Sequence, residues 1–265
     1  SDGWGIFMKA REMIAQGHSV IELTIGEHDI KTAPDILQAM QRSAKDGYTG
    51  YAPVPGTQGL REIVAAHHQT QAQVPTSAEN VLITPGAQAA LFAAHLAACN
   101  PHDKALYIDP YYTTYPGMLR ALSLNPVAIA AKANDGFQPN GASLNAAAQG
   151  AASLLINSPN NPTGVVYGQE TLEIIADTCR EHDLWLISDE VYASQVWSGR
   201  HITPRSLPGM KERSLIVGSM SKSHAMTGSR IGWVIGPEDI IAKLSDLATV
   251  SNYGVAGFIQ DAAEY

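Results

Sequence analysis

Ser219 and Ser221 come just before Lys222, and Arg230 follows eight residues after it, all within the stretch Val217–Val234. A lysine amine can attack a carbonyl carbon and form a Schiff base. Two hydroxyls and a guanidinium suit a dianionic phosphate, the guanidinium as a bidentate donor. The apolar runs Ser214–Val217 and Ile231–Ile235 flank the stretch and read as buried strands, which predicts Lys222 on a loop between them.

Four further stretches hold candidate residues, and each also admits a plainer reading. Asp189 falls within Leu184-Trp-Leu-Ile-Ser-Asp-Glu-Val-Tyr192, at the carboxyl end of an apolar run, where a carboxylate can meet a cationic group of a ligand. A strand-end cap beside a buried Tyr192 explains the same residues. Ser158-Pro-Asn-Asn-Pro-Thr-Gly164 has the composition of a turn. Thr84-Pro-Gly-Ala-Gln-Ala89 joins a strand to a helix. Unpaired N–H groups and the helix dipole make an anion site there, or it is an ordinary turn. Asp109-Pro-Tyr-Tyr-Thr-Thr-Tyr115 brings aromatic rings to another strand end, where core packing is the commoner use.

Taken in their order along the chain, the stretches resemble the motifs of the class I/II aminotransferases, fold-type I enzymes that use pyridoxal 5′-phosphate (PLP). The resemblance runs from about Ile21 to Gln260. It implies that Lys222 holds PLP as a Schiff base and later moves the substrate's α-proton. It implies that Asp189 pairs with the pyridinium nitrogen, and that Asn161 and Tyr192 contact the ring's 3-oxygen. Gly86, Ala87, Gln88, Ser219, Ser221 and Arg230 match phosphate-binding positions, and Tyr112 matches the aromatic residue stacked on the ring. Tyr51 matches a tyrosine that reaches the phosphate of a neighbouring subunit, implying a homodimer with shared sites. Gly26, together with Asn161, matches positions at the substrate. The implied reaction is ping-pong transfer of an amino group between an amino acid and a 2-oxo acid. No metal is implied.

The elements that must position these residues follow from periodicity. Residues 5–17 read as an amphipathic helix with Ile6, Met13 and Ile14 on one side, and Val20–Ile25 alternates like a strand. Helices are expected from Pro34 to about Asp46 and from Thr57 to about Thr70. From Val81 onward, short apolar runs alternate with helical segments. The runs are 81–84, 105–108, 127–131, 154–157 and 184–188; the helices include 87–99, one after Pro110, and 169–182. This alternation predicts an α/β fold with a mostly parallel mixed sheet covered on both faces, a three-layer α/β/α domain. Residues 36–265 are read as the PLP-binding large domain and 1–35 as a segment of a smaller one. The remainder of that smaller domain, with the arginine that grips the substrate's α-carboxylate, has no counterpart in the sequence.

Three other readings use overlapping residues. Ser219-Met-Ser-Lys222 has the Ser-x-x-Lys spacing of serine acyl-enzymes, but Lys-Thr-Gly and Ser-Asp-Asn strings are missing, and Gly residues favour a loop over the required helix. A PLP-dependent C–S β-lyase would use the same cofactor residues. A PLP-binding sensor domain would keep the fold without catalysis. A formal charge of −8 disfavours nucleic-acid binding, and charged residues at only 16% favour a buried core over disorder. Cys99 and Cys179 read as buried free thiols in a reducing, cytoplasmic setting. No signal-peptide pattern or membrane-length apolar run is present, and His67-His68 reads as a solvated helix face. Ser251-Asn252 resembles a pair that, in the animal aspartate enzymes, follows a distal arginine. The aligned position here is Leu247, so a dicarboxylate gripped in that manner is not expected.

Overall fold

The computed structural model describes residues 4–265. Helices α1 (Trp4–Ala15), α2 (Pro34–Lys45) and α3 (Gln58–Ala72) come first. Strand and helix then alternate through β1 (Val81–Thr84), α4 (Ala87–Ala98), β2 (Lys104–Asp109), α5 (Tyr115–Ala121), β3 (Asn125–Ala130) and α6 (Gly141–Ala148). The alternation continues with β4 (Ala151–Asn157), α7 (Gln169–Glu181) and β5 (Trp185–Asp189). After β6 (Ser214–Ser219), the one-turn helix α8 (Met220–Ser223) leads towards β7 (Gly232–Ile235), and α9 (Glu238–Ser251) and α10 (Gly257–Glu264) follow.

The strands form one sheet ordered β1-β7-β6-β5-β4-β2-β3. Strand β7 is antiparallel to β1 and β6, while the other pairs are parallel. Side chains of a strand point alternately to opposite faces, so a sheet covered on both sides needs unbroken apolar runs. Leu155 and Ile187 accordingly pack with Leu91 of α4, Leu119 of α5 and Leu244 of α9. Leu154, Ile156 and Leu186 face the other way, against Leu144 of α6 and Leu172 and Ile175 of α7. The three-layer expectation is therefore met. The in-register pairs Asn157↔Asp189 and Asp189↔Val217 bring the carboxyl ends of three parallel strands side by side.

Four local expectations need correction. Val20–Ile25 forms no strand: among the described residues nothing pairs with it, and Ile21 and Leu23 are exposed. Alternation alone cannot make a strand without a neighbour to take its backbone hydrogen bonds. The apolar side of α1 is not a core face either, since Ala10 is its one buried residue, and Ile6 and Ile14 stay exposed. His68 is buried, not solvated, because it falls in the i, i+4 series Leu60, Val64, His68, Ala72 on the inward side of α3. Lys222 lies on the helical turn α8, not on a loop. Ser219 caps that turn, its hydroxyl accepting from the Ser221 N–H at 3.3 Å. Of the N-terminal segment 1–35, residues 1–3 lie outside the described residues. Cys179 is a buried free thiol as expected; Cys99 is also free but only half-buried.

Candidate active site

A cavity of about 560 Å³ opens at the carboxyl ends of β4, β5 and β6, and Lys222 projects into it from α8. Its Nζ donates to the Gly26 carbonyl oxygen, which ties the lysine to the segment before α2. The Gln195 amide donates to the Lys222 carbonyl at 3.1 Å, bracing the turn from the other side. Burial lowers the pKa of the amine and the Arg230 charge adds to this, against an opposing effect of Glu27. A lowered pKa leaves more of the amine unprotonated and nucleophilic at neutral pH. Ser219 accepts from the Ser221 backbone, and Lys222 reaches away to Gly26, so no hydrogen bond links Ser219 to Lys222 as the acyl-enzyme arrangement needs.

At one end of the cavity the donors suit an anion. Gly86 caps α4, whose first residues Ala87 and Gln88 line the cavity with the amino end of a helix. The Arg230 guanidinium donates to the carbonyl oxygens of Thr227 at 2.9 Å and Pro85 at 3.4 Å, and so lies across this turn. Ser219 and Ser221 also line the cavity, and Thr114 donates to the Gln88 side chain at 3.0 Å. Gly86 is required here twice over. Its φ is +81°, and a Cβ on it would come within 2.3 Å of Arg230 Nη2. Gly232 is similarly close-packed: a Cβ there would meet the Ala87 nitrogen at 2.8 Å. Gly86→Ala is expected to displace the guanidinium and weaken phosphate-ester binding by about 10- to 100-fold, the scale of a 1–3 kcal/mol strained backbone. Titration of the cofactor-free protein with pyridoxal phosphate measures this, and an unchanged dissociation constant would count against the cradle.

At the other end Asp189 is buried, and its carboxylate accepts from Tyr115 Oη at 2.7 Å and from the Val191 N–H at 3.3 Å. Burial raises its pKa from 3.8 to about 6; the two hydrogen bonds oppose this and Glu190 adds to it. Such a carboxylate is poised to gain from a cationic partner entering the cavity. Asn157 Nδ2 donates to the Asp189 carbonyl at 2.9 Å, and Asn157 Oδ1 accepts from the Asn161 N–H at 2.7 Å. One side chain thus holds both neighbours in place. Asn161 Nδ2 in turn donates to Tyr192 Oη at 3.4 Å, so the two residues paired by the sequence do converge. Tyr112 lines the cavity with its ring edge-on to Tyr115, centroids 5.7 Å apart.

The structure therefore gathers Lys222, Asp189, Tyr192, Asn161, Tyr112, Ala87, Gln88, Ser219, Ser221, Arg230 and Gly26 around one space. Gly26 lines the cavity, and a Cβ on it would meet no atom within 4 Å. Two named residues do not line it. Gly86 stands behind Arg230, and Tyr51 lies on the outer surface, 90% exposed, against Tyr253. Leu247, on α9, is partly buried and packs against the core. Tyr115, Asn157, Gln195, Trp4 and Phe7 were not singled out from sequence, though Asn157 and Tyr115 sit at the ends of the quoted runs. Among the described residues no group of three or more His, Cys, Asp or Glu side chains could hold a metal ion, and no helix is long and apolar enough to cross a membrane.

The profile of the "Aminotransferase class I and II" family matches residues 18–264. An arginine–pyruvate transaminase of Pseudomonas aeruginosa is 38% identical over 261 residues, 98% of this chain and 66% of that protein. An aspartate aminotransferase of Bacillus subtilis is 34% identical over 249 residues, covering 93% of this chain and 63% of its own length. The solved structure of Thermus thermophilus aspartate aminotransferase with maleate superposes with a TM-score of 0.94 at 33% identity, over 100% of this chain and 69% of that one. The chain belongs to the class I and II aminotransferase family, and its architecture is that of the fold-type I enzymes. It spans 66% and 63% of the length of the two curated relatives.

Proposed function

We propose that this chain is the cofactor-binding part of a PLP-dependent aminotransferase, moving an amino group between an amino acid and a 2-oxo acid by a ping-pong route. The observation that carries the reading is the two-ended cavity: anion donors at one end, a buried carboxylate at the other, and between them a lysine whose amine pKa is lowered by burial. The residues fit the cofactor. Arg230, Ser219, Ser221 and the amino end of α4 would hold its phosphate, in a cradle whose guanidinium any side chain on Gly86 would displace. Asp189 would face the ring nitrogen, Asn161 and Tyr192 the 3-oxygen, and Tyr112 the ring face.

When bound, PLP supplies an electron-accepting ring that stabilises negative charge at the substrate's α-carbon. The protein's own tasks are more limited. Asp189 keeps a proton on the ring nitrogen by offering a carboxylate that burial makes eager for a cation. Lys222 would offer its amine as the nucleophile that holds the cofactor and as the base and acid that moves the α-proton. Asn161 donates to Tyr192 and so helps offset the burial and nearby Asp189 charge that raise the tyrosine's pKa.

The reading extends to a homodimer and to the cytoplasm. Tyr51 points outward beside Tyr253 and is free to reach a neighbour, and both cysteines are free thiols. The test is an amino-donor panel on the full-length protein with a 2-oxo acid acceptor. Amino transfer that depends on the acceptor is expected; product formation without it would mark a β-lyase instead. Within the panel, aspartate and glutamate are expected not to stand far above aromatic and aliphatic donors, because Leu247 packs against the core and offers no bidentate partner to a second carboxylate. A much higher kcat/KM for aspartate would refute that expectation.

A further inference from the structure

One residue past Asp189 a second carboxylate is buried, and it does not line the cavity. Glu190 Oε1 accepts from Ser188 Oγ at 3.0 Å and from Thr203 Oγ1 at 2.8 Å. Its Oε2 lies 2.8 Å from His201 Nε2, and the two side chains are only 6% and 7% exposed. The peptide that joins Asp189 to Glu190 is held along its backbone as well. The Glu190 N–H donates to the Val217 carbonyl at 2.8 Å, and the Asp189 carbonyl accepts from Asn157 Nδ2 at 2.9 Å and the Ser158 N–H at 3.3 Å. The strand end is thus fixed from β4, from β6 and, through the Glu190 side chain, from the segment His201–Thr203.

A buried ion pair is a poor way simply to hold a fold, because apolar side chains of the same size serve as well or better. This pair sits where its geometry bears directly on the carboxylate at the ring end of the cavity. We propose that Glu190 and His201 are a positioning pair for Asp189, fixing the end of β5 so that the Asp189 carboxylate stays aimed into the cavity. The inference rests on the reading of that cavity as a PLP site. Neither residue touches the cavity; they act through the Asp189–Glu190 peptide and through charge.

The charged surroundings define when the pair is intact. Asp189 is the near neighbour of Glu190 within the strand end, and His68 of α3 faces both Glu190 and His201. Arg205 and His67 lie next to His68, and Glu212 is near Arg205. Burial drives the His68 pKa down to about 4, so that ring is neutral and supplies no counter-charge at neutral pH. For His201 burial also works against the proton, but the charge and hydrogen bond of Glu190 outweigh it and leave the pKa above its ordinary value of 6.5. His201 is therefore the imidazole that balances Glu190. A histidine whose pKa is raised on folding contributes stability fully present below its unfolded value, and that stability is lost as pH rises through the folded value. Above that point Glu190 loses its counter-charge and stands as an uncompensated anion beside Asp189.

The test uses the full-length protein with Glu190→Gln, His201→Gln and Thr203→Val. All three variants are expected to take up PLP with the absorption of the wild type, because no phosphate contact is altered. In the amine half-reaction Glu190→Gln is expected to lower kcat about 10- to 100-fold with KM within about threefold, since small misplacements of a catalytic group cost up to about 10²-fold. In the cofactor-free protein, the fall in thermal stability above about pH 6.5 that titration of an imidazole produces is expected to vanish in His201→Gln. A Glu190→Gln protein that binds PLP and turns over within about twofold of wild type across the pH range would overturn the inference. So would a His201→Gln protein with the wild-type stability slope. Should Glu190→Gln fail to fold, Thr203→Val decides: it removes one hydrogen bond and keeps the charge, a loss of about two- to fivefold in kcat is expected, and an unchanged kcat overturns the proposal. A wild-type protein that takes up no PLP would instead overturn the underlying reading of the cavity, which separates the two failures.

Discussion

Replacing Lys222 by alanine is expected to abolish turnover and the visible absorption of the lysine-linked cofactor while leaving the fold intact. The size of the loss follows from its two tasks. General acid–base transfer alone contributes about 10²- to 10⁴-fold, and the nucleophilic role adds to that, so turnover should fall by on the order of 10⁴-fold or more. The cost to stability is small by comparison. Lys222 is only half-buried, and its one side-chain bond, to the Gly26 carbonyl, is worth about 0.5–1.5 kcal/mol. No other lysine lines the cavity, so none can take over. Trapping the linked cofactor with borohydride and mapping the labelled peptide checks the assignment independently. A label on any peptide lacking residue 222, or an unchanged absorption band in the alanine variant, would remove the central claim.

The variant also separates functional from structural roles on α8. Ser219 caps the turn through the Ser221 N–H, and Met220 anchors it in the core with Ile216 and Ile231. Neither contact involves the lysine side chain. The helical turn should therefore survive, and pyridoxal phosphate should still bind non-covalently through the anion donors. Amines of small size offered in solution are expected to restore part of the proton transfer, since the space left by the side chain opens into the cavity.

How much of this was legible in the sequence depended on whether the cause was local. Asp189 could be placed at a strand's carboxyl end because Leu184–Ile187 just before it is continuously apolar, and both faces of β5 are indeed covered. Asn161 and Tyr192 carry the motif, and the structure adds why they meet: the strands they follow are neighbours in register, Asn157 opposite Asp189. That adjacency is a property of strand order, which no local pattern encodes, so the bridging role of Asn157 was invisible. The Tyr115–Asp189 bond joins residues 74 apart and was hidden for the same reason. His68 was a different kind of miss. Its i, i+4 spacing from Leu60 and Val64 was readable in the sequence, but the residue type suggested water. Val20–Ile25 failed in the opposite direction: the period was right, but the described residues offer it no partner strand. The turn at Met220–Ser223 was missed because a single capped turn is too short to show a helical period.

Asp189→Asn is expected to split catalysis from stability in opposite directions, and this makes it the most discriminating single substitution. In the proposed reaction the ring nitrogen's proton has Asp189 as its ionic partner, whereas the phosphate has Arg230, two serines and the amino end of α4. Removing the charge should therefore slow the amine half-reaction by about 10²-fold or more, the scale of a lost preorganised electrostatic contact, while cofactor affinity changes far less. Without cofactor the same charge is a burden. Burial lifts the Asp189 pKa from 3.8 to about 6, so the folded protein holds a proton that the unfolded chain has already lost between those values. Stability is then greatest below about pH 3.8 as far as this group is concerned, and falls as pH rises through about 6. At about 1.4 kcal/mol per pH unit, the burden at neutral pH is about 3 kcal/mol. Asparagine keeps the shape and can still accept from Tyr115, but has no charge to desolvate. The cofactor-free variant should unfold at a higher temperature than wild type at pH 7 to 8, as expected from the flatter pH dependence, and the gap should close towards pH 4. Pyridoxal phosphate should reverse the order by giving wild-type Asp189 a cationic partner. Single-turnover kinetics with near-normal α-proton transfer in the variant, or thermal melts in which cofactor-free wild type remains the more stable at pH 8, would each show that Asp189 is not the buried, ring-facing carboxylate described.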